Sequence, residues 1–284
     1  MKDASLKAGI LKEALPYIRR WSGKVVVIKV GGESLQGDSL LSLATDIALL
    51  RYVGMRPLIV HGAGPQITAE MERVNLQPEF IDGHRVTDEK AIDLVVGVLM
   101  KVNGHLVDAI RMAGVAAVGL SGADASLISV EPARLGEGQD LGFVGDIKEI
   151  DPAFLDGLLS GGSVPIVAPL GRGEGGIYNI NADTAASALA VAVEAQKIVI
   201  VTNVAGLYAD LGDVGSLVSR TTPEHLRSMI EGGSLSKGML PKVRAVLDAL
   251  AGGVPQAHIL DGRVEHALLL EIFTDEGIGT LVTP

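Results

Sequence analysis

The sequence predicts an α/β protein with a mainly parallel sheet covered by helices on both faces. Three observations carry this. Short β-branched runs alternate along the chain with stretches of helical periodicity. Hydrophobic residues make up 48% of the 284 residues but aromatics only 3%, so the core is aliphatic and alanine-rich, as in closely layered helices and strands. The first two β-branched runs end in glycine turns, where a parallel sheet turns into its crossover helices.

The elements follow in order. Residues 5–20 form an amphipathic helix, with Leu6, Ile10, Leu11, Leu15 and Ile18 at helical spacing. Pro16 is expected to kink or break it. This helix either lies on its own domain or projects to meet a partner subunit. Val25–Val30 is a buried strand and 39–52 a helix; 57–60 is a strand and 65–74 a helix. A long helix over 91–113 precedes a short strand at 116–120. From 127 to 151 the periodicity weakens and short antiparallel strands are expected. Strand Val164–Ala168, helix 182–193, strand 198–202, helices Pro223–Glu231 and 242–251, and late strands at 257–260 and Thr280–Val282 complete the chain. The loop 171–176 is the best boundary between two lobes.

Composition excludes several functions. With no cysteine there are no disulfides and no thiolate metal sites, which fits a reducing compartment. No 18-residue apolar run occurs, so no membrane-spanning helix is expected. Residues 1–24 intersperse charges with short apolar groups, unlike a signal peptide. The net charge of −10 disfavours nucleic acid and anionic membranes as partners, and any site for an anionic substrate needs local positive charge.

Five motifs carry chemistry. In Val25-Val26-Val27-Ile28-Lys29-Val30-Gly31-Gly32 a lysine stands at a strand's carboxyl end beside a glycine turn. Ligands of α/β sheets bind there, and freed backbone N–H groups with a lysine suit phosphate; a solvated lysine is the plainer alternative. His61-Gly62-Ala63-Gly64-Pro65-Gln66 repeats the arrangement at the next strand end, where the helix N-terminus favours an anion. It is neither a Walker loop nor a complete dinucleotide fingerprint. In Gly83-His84-Arg85-Val86-Thr87-Asp88 the arginine suits a carboxylate ligand, or pairs with Asp82 or Asp88 at the surface. Asn179, Asn181 and Asp183 stand before an alanine-rich helix; capping needs one such residue and three is excessive. Lys242, in Lys237-Gly238-Met239-Leu240-Pro241-Lys242, opens a helix, where a cation is disfavoured unless an anion shares the space. Two lysines, two anion-cradling loops, an arginine and a central aspartate point to phosphoryl transfer, which needs charge neutralisation and alignment. There is no G-x-S-x-G elbow and no HExxH spacing.

In this order the motifs resemble the amino acid kinase family over essentially the whole chain, through VVVIKVGGES, PLIVHGAGPQI, FIDGHRVTD, IYNINADTAA, KIVIVTNVAGLY, KGMLPKV and HALLLEIFTDEGIGTLV. The resemblance implies a three-layer αβα sandwich of the carbamate kinase-like type. It is nearest to members that phosphorylate the γ-carboxylate of N-acetyl-L-glutamate with ATP, with Mg2+ carried by the nucleotide and no metal site on the protein, in cytoplasmic arginine biosynthesis. It implies an oligomerising helix over 1–22, an acyl amino acid lobe over 23–175 and an ATP lobe over 176–284. Lys29 and Lys242 would neutralise the transferring phosphoryl group and Asp183 would hold both. Gly31, Gly32 and Gly64 would donate backbone N–H bonds, with Ala63 and Gly64 beside the substrate. Arg85 would clamp its α-carboxylate and Asn179 would contact it. Thr202, Asn203, Gly206, Leu207 and Tyr208, with Lys237, Gly238 and Met239, would flank the nucleotide.

The N-terminal helix resembles that of hexameric, arginine-inhibited members, assembled as a trimer of dimers. L-Arginine would then bind near Lys197, His258, Glu271 and Gly277. The chain departs from the family at Ala63 in a usually triple-glycine loop, at Lys237-Gly238-Met239, where two glycines usually precede the methionine, and at Ala123, where a lysine is frequent. Alanine at 63 is strained if that position needs a positive φ. Two alternatives follow. One is a kinase for aminoadipate or glutamate on an acidic carrier protein, which needs a more basic rim than His84 and Arg85. The other is a catalytically silent arginine sensor, which rests on Ala63. A dinucleotide-dependent oxidoreductase fails on the missing fingerprint and the second lysine.

Overall fold

A computed structural model describes residues 2–81, 83–135, 139–210, 212–274 and 277–284; for 2–8, 135, 139 and 214 it describes only the backbone. Asp82, which the sequence offers as a partner for Arg85, lies outside these residues, and so does the side chain of Leu6.

The core is an eight-stranded sheet in the order β12-β14-β13-β11-β1-β2-β8-β5. Its strands are β1 (Val25–Val30), β2 (Arg56–His61), β5 (Ala117–Ser121), β8 (Val164–Ala168), β11 (Lys197–Thr202), β12 (Arg220–Thr221), β13 (Ala257–Asp261) and β14 (Thr280–Val282). Neighbours run parallel except β13 and β14. Strand β1 lies between β2 and β11, which explains its unbroken apolar run: both faces are buried.

Alternation along β1 sorts its side chains between two cores. Val26, Ile28 and Val30 face helices α2 (Gly37–Tyr52), α3 (Gly64–Arg73) and α4 (Ile92–Met112) through residues such as Ile47, Ile67 and Leu106. Val27 faces α5 (Ala153–Ser160), α6 (Ala182–Ala192), α7 (Pro223–Glu231) and α8 (Leu240–Ala251) through Leu155, Leu189, Leu226 and Val246. The result is the expected three-layer sandwich. One sheet serves both halves of the chain, and the expected boundary at 171–176 falls at the turn between β9 (Leu170–Gly173) and β10 (Gly176–Asn179).

The 127–151 region does form antiparallel strands, but long ones. Strands β6 (Ile128–Leu135) and β7 (Gln139–Ile150) pair antiparallel and close a small barrel with β9 and β10. A short hairpin, β3 (Phe80–Ile81) with β4 (His84–Arg85), leans on this barrel through the Thr87–Leu141 and Phe143–Thr87 backbone bonds. Helix α1 (Lys2–Trp21) is continuous through Pro16, contrary to the expected break. Pro16 and Lys12 are exposed, so water can satisfy the Lys12 carbonyl that proline leaves without its donor. Among the described side chains of α1, Trp21 at its root is buried, whereas Ile10, Leu11 and Leu15 face solvent. The root lies against α9 (Ala267–Phe273).

Candidate functional site

The carboxyl ends of β1, β2 and β11 meet at one edge, and the glycine loops follow directly. Glycine is required at position 32 by close approach: a Cβ there would lie 2.6 Å from Gln66 Oε1 and 3.1 Å from Ala63 Cα. Gln66 ties the two loops together by donating from Nε2 to the Gly32 carbonyl (2.7 Å). Ala63 has φ −146°, so this position does not need the positive φ that would strain alanine. The N–H groups of Gly32 and Gly64 open helical turns and have no intrahelical acceptor. Gly31 differs from the expectation: its N–H donates to the Val201 carbonyl (3.2 Å), so it lines the cavity without offering that donor.

A cavity of about 490 Å³ opens over these loops, lined among others by Lys29, Gly32, Thr202, Asn203, Ser236 and Lys242. At its floor Asp183, 5% exposed, sits between two lysines. Lys29 Nζ pairs with Oδ1 at 2.8 Å and Lys242 Nζ with Oδ2 at 3.4 Å. Burial works to raise the Asp183 carboxyl, but the two ammonium groups outweigh it and hold it below the usual range. Burial lowers Lys242, with Asp183 opposing the shift. Three elements place these groups. Lys29 is near the end of the central strand, Asp183 is in the first turn of α6, and Lys242 is in the first turn of α8 after Pro241. Asn181 supplies the α6 cap by accepting from the Asp183 and Thr184 N–H groups, which leaves the aspartate free for the lysines.

A smaller cavity of about 150 Å³ adjoins it and shares Gly62, Gly64, Asn181 and Ala182. Arg85, Asn179, Ala63 and the apolar side chains of Ile67, Leu99 and Val144 line it. Arg85 is 7% exposed, and among the described residues no carboxylate pairs with it. Asp88, a partner the sequence offered, instead accepts from the Lys90 and Ala91 N–H groups leading into α4. Burial lowers the Arg85 guanidinium, yet arginine stays charged.

His61 lies beneath the loop, fully buried. Its Nδ1 faces the Gly62 carbonyl (3.4 Å) and its Nε2 faces the Asn103 amide (3.1 Å), so the partners assign the proton to Nδ1. Burial pushes it down to about 4, so it is neutral at pH 7. It braces the strand end and lines neither cavity.

Of the nucleotide candidates, Thr202, Asn203, Gly238 and Met239 line the larger cavity, whereas Gly206, Leu207, Tyr208 and Lys237 do not. Leu207 is core, 1% exposed, with its N–H donating to Thr280 Oγ1, and Lys237 is in solvent. Ala123 is buried outside both cavities. Gly62 and Asn181 lie in motifs that the sequence marked without assigning either residue to the site, whereas Ser236 lines the larger cavity with no signal in the sequence. No group of three or more His, Cys, Asp or Glu side chains among the described residues could hold a metal ion. No helix among them is long and apolar enough to cross a membrane.

Lys197, His258, Glu271 and Gly277 also come together, around a separate cavity at the opposite end of β11 from Thr202. Glu271 Oε1 takes Lys197 Nζ (3.3 Å) and His258 Nε2 (2.7 Å), and Oε2 accepts from the Ile278 N–H (3.2 Å). Burial works to raise Glu271, but His258 and Lys197 prevail and its carboxyl falls. Burial lowers both Lys197 and His258. A cavity of about 420 Å³ lies over the cluster, walled by Tyr17, Arg20 and Trp21 at the root of α1.

The model of the amino acid kinase family matches residues 24–261. An acetylglutamate kinase from Symbiobacterium thermophilum is 49% identical, with 97% of each chain covered. One from Pelotomaculum thermopropionicum is 48% identical over the same shares. Among solved structures, N-acetylglutamate synthase from Neisseria gonorrhoeae, complexed with coenzyme A and N-acetyl-glutamate, superposes with a TM-score of 0.88 at 29% identity. That match covers 98% of this chain and 63% of the synthase chain, so the present chain spans less than two thirds of that protein. Carbamate kinase from Giardia lamblia, bound to AMP-PNP, shares the fold at 16% identity with a TM-score of 0.68. The chain belongs to the amino acid kinase family.

Proposed function

We propose that this member of the amino acid kinase family transfers the γ-phosphoryl group of ATP to the γ-carboxylate of N-acetyl-L-glutamate. The products are N-acetyl-L-glutamyl 5-phosphate and ADP, and the pathway is arginine biosynthesis. The observation that carries the reading is Asp183 bridging Lys29 and Lys242 where the two cavities adjoin. The acetylglutamate kinase relatives, similar over nearly their full length, support the choice of substrate.

The larger cavity suits the nucleotide, with residues 176–284 supplying its outer wall. The smaller suits the acyl amino acid, held largely by residues 23–175. Arg85 and Asn179 receive the α-carboxylate, while Ile67, Leu99 and Val144 offer an apolar wall to the acetyl methyl. A carboxylate is already ionised at pH 7, so its oxygen attacks the γ-phosphorus without a general base as the bond to the departing ADP oxygen breaks. His61, buried and neutral, is not needed as one. Two lysines on one aspartate leave a net positive charge for the phosphoryl oxygens, and the N–H groups of Gly32 and Gly64 add aligned donors. Magnesium, brought by the nucleotide phosphates, supplies further charge neutralisation.

Regulation belongs to the same proposal. The Glu271 cluster suits the guanidinium of L-arginine, with Lys197 and Arg220 available to its carboxylate. The solvent-facing Ile10, Leu11 and Leu15 suit helix exchange between dimers in a hexamer. A cytoplasmic location rests on the pathway. The carrier-protein alternative is disfavoured by the small substrate cavity, and the silent-sensor alternative loses its support because Ala63 has a negative φ, which alanine can adopt.

The test is ADP release with Mg-ATP and N-acetylglutamate, glutamate as control, and Lys29→Ala alongside. Turnover that needs the acetyl group and Lys29 supports the proposal; no turnover from folded protein overturns it. Deleting residues 1–20 should remove inhibition by arginine, and unchanged inhibition sinks that part.

A further inference from the structure

Phe80 is 55% exposed and contributes little to the core. In the β3–β4 hairpin it pairs directly opposite Arg85, and the Arg85 Cζ lies 4.6 Å from the centre of its ring. Among the described residues, the other contacts of this guanidinium are also uncharged. Nη2 donates to the Gly64 carbonyl (3.0 Å) and to Thr68 Oγ1 (2.7 Å), which uses both its protons. Nη1 approaches Met71 Sδ at 3.3 Å. Thr87 Oγ1 holds the Arg85 carbonyl from behind (2.9 Å).

A carboxylate in place of these neutral groups would orient the arginine equally well. It would also neutralise the charge and compete with an anionic ligand. An aromatic face orients a guanidinium and leaves its charge free for the ligand. Edge contacts on Nη2 and Nη1 anchor one side of the group and leave the plane able to tilt about it. The ring over the face restricts that tilt, and both side chains line the 150 Å³ cavity.

We infer that Phe80 is a positioning residue for the acyl amino acid. It stacks on Arg85 and keeps the guanidinium plane aimed into the small cavity, so its effect falls on affinity for the substrate carboxylate. The inference rests on the proposal above that Arg85 receives the α-carboxylate.

Steady-state kinetics of the full chain test it, with Phe80→Ala, Phe80→Leu, Phe80→Tyr and Arg85→Ala side by side and melting temperatures to confirm folding. Phe80→Ala and Phe80→Leu should each raise the KM for N-acetylglutamate about 3- to 5-fold, in line with a cation–π contact at a half-open site. The KM for ATP and kcat should move far less, and Phe80→Tyr should restore the original KM. An unchanged KM in Phe80→Ala overturns the inference. So does a Phe80→Leu enzyme with the original KM, because leucine keeps an apolar wall and loses the stacking. If Arg85→Ala raises the KM and Phe80→Ala does not, only this inference fails. If Arg85→Ala also leaves the KM unchanged, the carboxylate-clamp reading fails with it.

Discussion

Two buried carboxylates in this molecule each hold a pair of basic side chains, yet the two regions are electrically different. Asp183 lies between two lysines, so its cluster has a net charge of +1 and opens into the larger cavity. Glu271 lies between Lys197 and His258. Burial lowers His258, so these three side chains are balanced among themselves at neutral pH, and they open towards α1 into a cavity that Arg20 and Arg220 also line. A permanent surplus of charge suits an anion whose charge must be stabilised during transfer. A balanced cluster suits a ligand bearing both signs, because it can reorganise around the ligand without burying an unpaired charge.

The largest expected effect breaks the first region. Asp183→Asn leaves two lysines repelling each other and unplaced, and Lys29→Ala removes the surplus altogether; either should lower kcat about 10³-fold or more, near 4 kcal/mol. A loss of less than tenfold in folded protein would contradict the assignment.

Acid probes the support under the first region. His61 is held at about 4, below its ordinary 6.5. Between these values the unfolded chain binds a proton that the folded chain does not, so stability falls as pH drops through this window. The loss at pH 4 is about 3 kcal/mol from this group alone. Melting temperatures from pH 7 to 4 should show it, and His61→Gln should flatten the dependence. Asp183, with its carboxyl held low, adds a further loss at more acid pH.

In the second region, Glu271→Gln strands Lys197 without its counter-charge and takes the carboxylate acceptor from the neutral His258. About 2 kcal/mol of stability should go, seen as a melting point several degrees lower, together with any response to arginine. The smallest effect is the most discriminating. Protonating His258 gives the second cluster the surplus positive charge of the first, so arginine binding measured by calorimetry should weaken severalfold as pH falls beneath the ordinary histidine range, because burial holds His258 low. Binding that strengthens in acid would reverse the comparison.

Much of the fold was legible, for reasons that differ by element. Val25–Val30 reads as a central strand because apolar residues fill both of its faces. Helix α4 reads plainly because its periodicity runs for 21 residues. The hairpin at 80–85 was not legible: each of its strands has two residues, too few to show alternation. Helix α5 was hidden by its brevity and by Gly157 in its interior, and α9 by an opening His266 at φ 55°, paired with Asp46. At the site, Lys29, Asp183, Lys242 and Arg85 announced themselves by charge in unfavourable settings. Phe80, Thr68 and Met71 could not, since their role depends on who stands opposite them.

The sequence by itself determined the layered α/β architecture, the glycine loops at the strand ends and the set of charged residues that need a ligand. These follow from local periodicity and from the cost of placing a charge in a core or at the wrong end of a helix. Only the tertiary structure decided which charges are paired. It turned Asp88 towards a helix start, placed Asp183 between two lysines from elements 59 and 154 residues away in sequence, and left Arg85, among the described residues, with neutral partners. Pairing is a matter of distance after folding, and distance between remote segments is set by how the layers stack, which no local stretch of sequence contains.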